Sequence, residues 1–453
     1  MWTVDEIIRA VKGEPLNIKE RVFSDISTDT RTIKKGELFI PLKGKNYDGH
    51  DFIETACTIS GIGCLCEKSK AHKIAHLKET IIIVEDTLNA LANLAAYRRR
   101  ILKGEFIAIT GSNGKTTTKE ILVDILKKAF TVHFNEKNFN NIIGVSKSIL
   151  SIKESCSFYV FELGTNAPGE IKALAGIVQP DISVITNINP SHLEGLKDIQ
   201  GVLKEKLDLY YNTKKGGIIF INADDPYITS SSFFSNDQVI KDYAIEKDAS
   251  YKLIIDEDYG WEGYSITFKF PEISFNAKTK LLGKHNLYNI LCSSAIASSV
   301  GIGRSSIKES IEDFKPYDKR FLPIKSKNGY LIIDDTYNAN PASMEWAIKT
   351  VNELPSRGKR IAIIGDMKEL GDKEEFYHRQ IGRILKESSF KKILLYGDAV
   401  KYILDEIGDE RAEVFSDKNC LIDFAKKIIR MDDVVLVKGS RLLKMDEIVK
   451  GLD

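Results

Sequence analysis

The run Gly111-Ser112-Asn113-Gly114-Lys115-Thr116-Thr117-Thr118 lies between an apolar segment, 106–110, and a stretch where Ile121, Leu122, Ile125, Leu126 and Ala129 recur at helical spacing. Strand, glycine-containing turn and helix in succession place backbone N–H groups and a helix N-terminus where they face phosphate oxygens. In such a loop Lys115 reaches the terminal phosphates and the Thr116 hydroxyl is a ligand for magnesium, while small residues admit the phosphate close to the backbone. The longer form, GxxxxGK[ST], has glycine at a position that is Ile109 here, so the loop is a shortened GxxGKT variant. An ordinary glycine-rich turn is the alternative.

Short β-branched or aromatic runs at 106–110, 158–162, 182–186 and 218–222 alternate with helical patterns, the signature of a parallel sheet covered by helices. A second series follows at 330–334, 360–364, 392–396 and 434–437. The charged, proline-containing stretch 315–320 between them suits a linker. Before residue 100 the pattern is less regular, with strands expected at 39–42 and 81–84, a helix over 88–98 and an amphipathic helix at the N-terminus. The expectation is an α/β protein of three domains: a small mixed α/β domain over 1–99, a central P-loop parallel-sheet ATPase domain over 100–314, and a C-terminal Rossmann-like α/β domain over 315–453. The length, 453 residues, is about three times a typical domain.

Charge narrows the ligand classes. With 65 Lys+Arg against 64 Asp+Glu the net charge is +1, so no global basic field argues for nucleic acid, and anions must be held locally. Six scattered cysteines lack the pairing of zinc ribbons or of a disulfide framework, which favours a reducing, cytoplasmic setting. The N-terminal segment carries Asp5, Glu6 and Arg9, unlike a signal peptide, and the weakly polar segment 290–303 is too short to span a bilayer.

Two further residues lie at strand ends. Glu162 closes one expected strand and His192 follows another, and the carboxyl ends of parallel strands line one crevice, the one the phosphate loop occupies. Taken singly each is a turn or cap residue. With the loop, they are candidates for metal bound to nucleotide phosphate.

These residues form part of a longer pattern: 110–117, Asn138-Phe139-Asn140-Asn141, Glu162-Leu163-Gly164, Thr186-Asn187-Ile188 before His192, Gly283-Lys284-His285-Asn286 with Asn289, the run DDTYNANP at 334–341, GDMKELG at 365–371 with His378, and VKGSR at 437–441. In that order, over nearly the whole chain, the pattern resembles the Mur ligases, the cytoplasmic amide ligases of peptidoglycan precursor synthesis. The DDTYNANP and GDMKELG runs are similar to the branch that joins D-Ala-D-Ala to UDP-N-acetylmuramoyl-tripeptide. The segments 27–31, 39–44 and 48–52 are similar to that family's UDP-sugar-binding domain.

The resemblance implies residue roles. Gly111, Ser112, Asn113, Gly114, Lys115, Thr116 and Thr117 would hold ATP phosphates; Thr116 and Glu162 would help place Mg2+ and His192 would serve a second ion. Lys206 matches the lysine that the family carbamylates; read without the resemblance it is a solvated helix lysine, and Lys204 is the neighbouring register. Asn286 and Asn289 would lie near adenine, or else form a helix-capping cluster. Arg320 would reach the ATP phosphates and Asp335 would face them across the cleft. Tyr337, Asn338 and Asn340 would receive the peptide substrate, and Ser27, Thr30 and Arg31 the UDP-sugar. A monomer is expected. One departure stands out: Gly195-Leu196-Lys197-Asp198 replaces the Phe-Gly-Ser run common after the His192 position. Two alternatives share the loop: a related ligase of the same fold adding another amino acid or glutamate, and a P-loop ATPase acting as a switch.

Overall fold

The structure is a computed structural model that describes every residue except 45, 137, 232 and 234–236. The chain divides into two compact units, one comprising Met1–Phe106, His133–Leu163 and Ala173–Gln179, the other Ile107–Val132, Gly164–Lys172 and Pro180–Asp453.

The first unit opens with helix Val4–Val11. Thr3 and Glu6 form a reciprocal capping box at its start, and Val4, Ile7, Ala10 and Val11 make its buried face. A five-stranded sheet follows in the order Glu14–Asn17, Thr80–Val84, Gly63–Glu67, Glu37–Phe39, Asp25–Ser27. The first pair is antiparallel and the others are parallel. Gly63 permits its strand to approach closely, since a Cβ there would meet the Thr80 carbonyl oxygen at 1.9 Å. The strand expected at 39–42 instead spans Glu37–Phe39. Asp86 caps helix Thr87–Ile101, which packs against helix Ile142–Leu150.

In the second unit, residues 107–110 pair in parallel with Ile182–Ile185, and Ile218–Asn222, Val239–Ala244 and Tyr251–Asp258 continue the parallel order. Strands Tyr264–Lys269 and Ser274–Thr279 then extend the sheet antiparallel, a part of the architecture absent from the expected strands. Tyr264, Ile266 and Phe268 alternate with more open residues, as a sheet with one covered face requires. Helix Lys284–Ser299 packs on helix Lys115–Lys127 and is buried over most of its length. That burial explains why 290–303 is so weakly polar, and among the described residues no helix is long and apolar enough to cross a membrane.

The same unit holds a six-stranded sheet ordered Leu322–Lys325, Leu331–Asp335, Val434–Lys438, Arg360–Gly365, Lys392–Tyr396, Ala412–Phe415, parallel except for its first pair. All four strands expected in the C-terminal series are present, within a residue or two at their ends. Helix Pro341–Glu353 leaves this sheet with proline in its first turn, where a missing N–H costs nothing.

Candidate active site

The phosphate loop runs from the carboxyl end of strand Glu105–Thr110 into helix Lys115–Lys127. Two glycines are enforced by their surroundings. A Cβ on Gly111 would stand 1.9 Å from Thr186 Oγ1, and one on Gly114, at φ +79°, would stand 2.2 Å from Asn289 Oδ1. The neighbouring strand end holds the loop in shape: Ser112 N donates to Asn187 O at 2.9 Å, Asn113 N donates to Asn187 Oδ1 at 3.0 Å, and Thr186 Oγ1 donates to Asn113 O at 2.6 Å. Ser112 Oγ donates to Asn189 O at 2.7 Å. Lys115 turns back, its Nζ 2.7 Å from Gly111 O.

Behind the loop, Asn286 and Asn289 face inward. Asn289 Oδ1 accepts from Thr118 Oγ1 at 3.2 Å, Asn289 Nδ2 donates to Asn286 Oδ1 at 3.1 Å, and Asn286 Nδ2 donates to Leu282 O at 2.8 Å. The structure thus employs these amides in joining two helices beneath the phosphate loop. Their neighbour His285 stacks on Trp346 at 5.6 Å between ring centroids, and burial pushes its pKa down to about 4.

A second loop, 335–341, meets the first within this unit. Arg320 Nη2 donates to Thr116 Oγ1 at 2.9 Å, and Asn340 Nδ2 donates to Asn113 Oδ1 at 2.8 Å. The Arg320 guanidinium lies over the Tyr337 ring, 3.9 Å from its centroid. Lys438, buried at the end of its strand, anchors this loop by donating to Asp335 Oδ2 at 2.6 Å and to Asn338 O at 3.0 Å. Asn340 caps helix Pro341–Glu353 reciprocally with Ser343. Two buried donors at this junction, Arg320 Nε and Asn113 Nδ2, have no partner among the described residues. Orphaned buried donors are costly, and an anionic ligand would satisfy them.

Lys206 and His192 complete this side. On helix Ile199–Tyr211, Lys206 is 1% exposed whereas Lys204 is exposed, so Lys206 is the inward register. This corrects the reading of Lys206 as a solvated lysine: it occupies the buried stripe with Val202, Leu203 and Tyr210. Burial foremost, then the nearby Lys115 charge, drives its pKa well below the ordinary lysine range. His192 has a left-handed backbone, φ +53°, and its Nδ1 lies 2.7 Å from Glu369 Oε2. Glu369 is itself left-handed at φ +65°, and its carbonyl accepts from Glu194 N at 3.1 Å. In the departing stretch, Gly195 lies so close to Asn166 O that a Cβ would approach to 2.0 Å.

The remaining candidates belong to the first unit. Glu162 is buried and accepts from Asn140 Nδ2 at 2.8 Å, while Asn135 bonds both its backbone N–H and its carbonyl. Ser27 Oγ accepts from Asp29 N at 3.3 Å, and Thr30 is half-buried. Arg31 grips Asp29 through Nε and Nη2, at 2.9 and 2.6 Å, and holds that carboxyl down at about 2. Lys438, Glu369, Thr186 and Asn187 were not assigned site roles from the sequence, because each acts through a partner distant in the chain.

A phosphate loop opening a helix of a parallel sheet, touching a capped loop from a second parallel sheet, defines an α/β protein built to bring nucleotide phosphates to another substrate. The chain belongs to the Mur ligase family. Residues 23–99 match the description "Mur ligase family, catalytic domain", 109–297 "Mur ligase middle domain" and 319–441 "Mur ligase, glutamate ligase domain". The chain is 34% identical to the UDP-N-acetylmuramoyl-tripeptide--D-alanyl-D-alanine ligase of Bacillus subtilis (strain 168), over 99% of this chain and 98% of that protein. Its structure is similar to a crystal structure of MurF from Acinetobacter baumannii, with a TM-score of 0.91 and 27% identity over 100% of this chain and 98% of that one. It is also similar to MurF ligase from Thermotoga maritima in complex with ADP, at a TM-score of 0.85 and 26% identity over 94% and 96% of the two chains.

Proposed function

We propose that this chain is the ATP-dependent ligase that joins D-Ala-D-Ala to UDP-N-acetylmuramoyl-tripeptide, supplying the pentapeptide precursor of peptidoglycan as a cytoplasmic monomer. The observation that carries the reading is the junction of the two loops. Arg320 and Asn340, from the 320–341 side, reach Thr116 and Asn113 of the phosphate loop, with two buried donors left over for an anion.

The tripeptide's terminal carboxylate oxygen attacks the γ-phosphorus of ATP, the bond to the bridging oxygen breaks, and ADP departs, leaving an acyl phosphate. The dipeptide amine then attacks the acyl carbon, phosphate leaves, and the nitrogen loses its proton. Lys115 swings from Gly111 O onto the transferring phosphate. Arg320 extends its unpartnered Nε toward the same oxygens, since phosphoryl transfer rests mainly on positioning and charge neutralisation. Tyr337, Asn338 and Asn340 receive the dipeptide, Ser27, Thr30 and Arg31 the UDP-sugar, and Asn286 and Asn289 support the nucleotide from beneath.

Thr116 and Glu162 would help hold one magnesium ion and His192 a second, with Lys206 as a further ligand. Among the described residues no group of three or more His, Cys, Asp or Glu is gathered. Such a sparse donor set fits an ion bound mainly through substrate phosphates and water. When bound, the ion supplies further neutralisation of the phosphate oxygens. Lys206 can join such a set only as an anion. Its lone pair bonds to the carbon of carbon dioxide, one C=O π pair moves onto oxygen, and a proton is released; the low pKa of Lys206 favours the neutral amine this step needs.

The reading is tested by incubating purified protein with ATP, Mg2+, D-Ala-D-Ala and either the diaminopimelate- or the lysine-containing UDP-tripeptide, with mass spectrometry of the products. UDP-muramoyl-pentapeptide and ADP are expected in equal amounts. Phosphate release without pentapeptide would instead favour an ATPase switch.

A further inference from the structure

Beside Lys206 on its helix stands Glu205, a carboxylate that the chemistry above does not use and that is 4% exposed. Its burial is fully compensated. Oε2 accepts from Gly169 N at 2.6 Å, and Oε1 accepts from Ile171 N at 2.7 Å. The Thr165 hydroxyl lies 3.0 Å from Oε1 and shares its single proton between Glu205 and the Ala167 carbonyl. Gly169 and Ile171 flank the start of helix Glu170–Val178, whose first N–H groups have no partner within the helix. Gly169 adopts φ +87° with open space where a Cβ would be, so glycine there serves the backbone turn that aims this N–H at Glu205.

The geometry therefore ties one point on helix Ile199–Tyr211 to the segment 165–171 through three donors. Neighbouring helix residues are about 100° apart around the axis, so fixing Glu205 against that segment fixes the direction of Lys206. The apolar stripe and the Tyr210 hydroxyl, bonded to Ile185 N and Phe220 O, also hold this helix, and Glu205 is the tie beside the lysine that resists a turn of Lys206 toward water.

We propose that Glu205 is the positioning residue of the Lys206 site: by clamping segment 165–171 it fixes the helix rotation that keeps Lys206 turned inward, and so sets how fully Lys206 is carbamylated. The proposal rests on the carbamate reading above. Glutamine in place of Glu205 keeps one acceptor oxygen but turns an NH2 toward an N–H donor, so it breaks half of the clamp at nearly constant volume.

The test uses the full-length protein equilibrated with isotope-labelled bicarbonate. The carbamate carbonyl is observed by NMR and assigned to Lys206 by its absence from Lys206→Ala. Circular dichroism and melting temperature report on folding, and turnover is followed across bicarbonate concentrations. For Glu205→Gln, a folded protein is expected whose carbamate signal at low bicarbonate falls about tenfold and whose half-saturating bicarbonate concentration rises by a similar factor. Excess bicarbonate should restore much of the signal and turnover. Glu205→Asp, which keeps both oxygens but shortens the reach, should fall between the two. A Glu205→Gln protein that melts earlier yet carries the wild-type signal and bicarbonate requirement would overturn the proposal and leave Glu205 as a helix cap. A wild-type protein with no Lys206 signal at any bicarbonate concentration would overturn the carbamate reading itself, and this proposal with it.

Discussion

The two loops that meet at Arg320 are held in opposite ways. The phosphate loop is held mainly at its own main-chain groups: Ser112 N donates to the Asn187 carbonyl, Asn113 N to the Asn187 side-chain oxygen, the Asn113 carbonyl accepts from Thr186 Oγ1, and two glycines give way to Thr186 and Asn289. Loop 335–341 is shaped by side chains, with Lys438 bridging Asp335 and the Asn338 carbonyl and Asn340 capping the next helix. A main-chain cradle suits a ligand that is the same in every turnover, because N–H groups recognise phosphate oxygens without regard to the rest of the molecule. A side-chain cradle can change its specificity by substitution while its backbone stays put. Under the proposed function, the first loop would fix the reaction and the second what is joined.

Breaking the main-chain cradle should have the largest effect. Gly114→Ala places a Cβ 2.2 Å from Asn289 Oδ1 at a left-handed φ. It should lower kcat by about a hundredfold or more, the scale of an ångström-sized displacement. UDP-tripeptide binding, followed by calorimetry, should be little changed. Next comes Lys438→Met, which leaves the Asp335 carboxylate without its 2.6 Å cation. A loss of about 3 kcal/mol of stability is expected by urea denaturation, and KM for the dipeptide should rise more than KM for ATP. Equal rises in both would mean that the two loops do not divide the work as described.

The smallest expected effect is on acid stability. His285 stacks on Trp346 of the helix that follows loop 335–341, and its pKa is about 4 in the fold against about 6.5 unfolded. Between those values the unfolded chain binds more protons than the native one, so stability falls as pH drops from 6.5 through 4. Half-buried His133 and buried His378 are shifted in the same direction. Replacing His285 by Gln should therefore flatten only part of the fall, measured as melting temperature against pH. An unchanged slope would show that this imidazole is not kept neutral.

How much of this was legible in the sequence follows the same division. The phosphate loop could be read because its physics is local: glycine, lysine and threonine act within a few residues of one another, between an apolar strand and a helical stripe. The C-terminal strands were legible as continuous apolar runs. The antiparallel pair 264–279 was not among the expected strands, although Tyr264, Ile266 and Phe268 alternate in register with Phe275 and Ala277. Lys206 carried a usable signal, four residues after Val202 and four before Tyr210 on one helical stripe, yet its chemistry masked it. Glu205 and Lys438 had no local signal, because the backbone donors of 169–171 and the carboxylate of Asp335 are brought to them only by the folded chain.

The account's central claim, that both loops serve one ligation through an acyl phosphate, is tested most directly by labelling the tripeptide's terminal carboxylate with heavy oxygen. The phosphate released during pentapeptide formation should carry one labelled oxygen per molecule. Unlabelled phosphate would mean that water attacks the nucleotide, and would contradict the account.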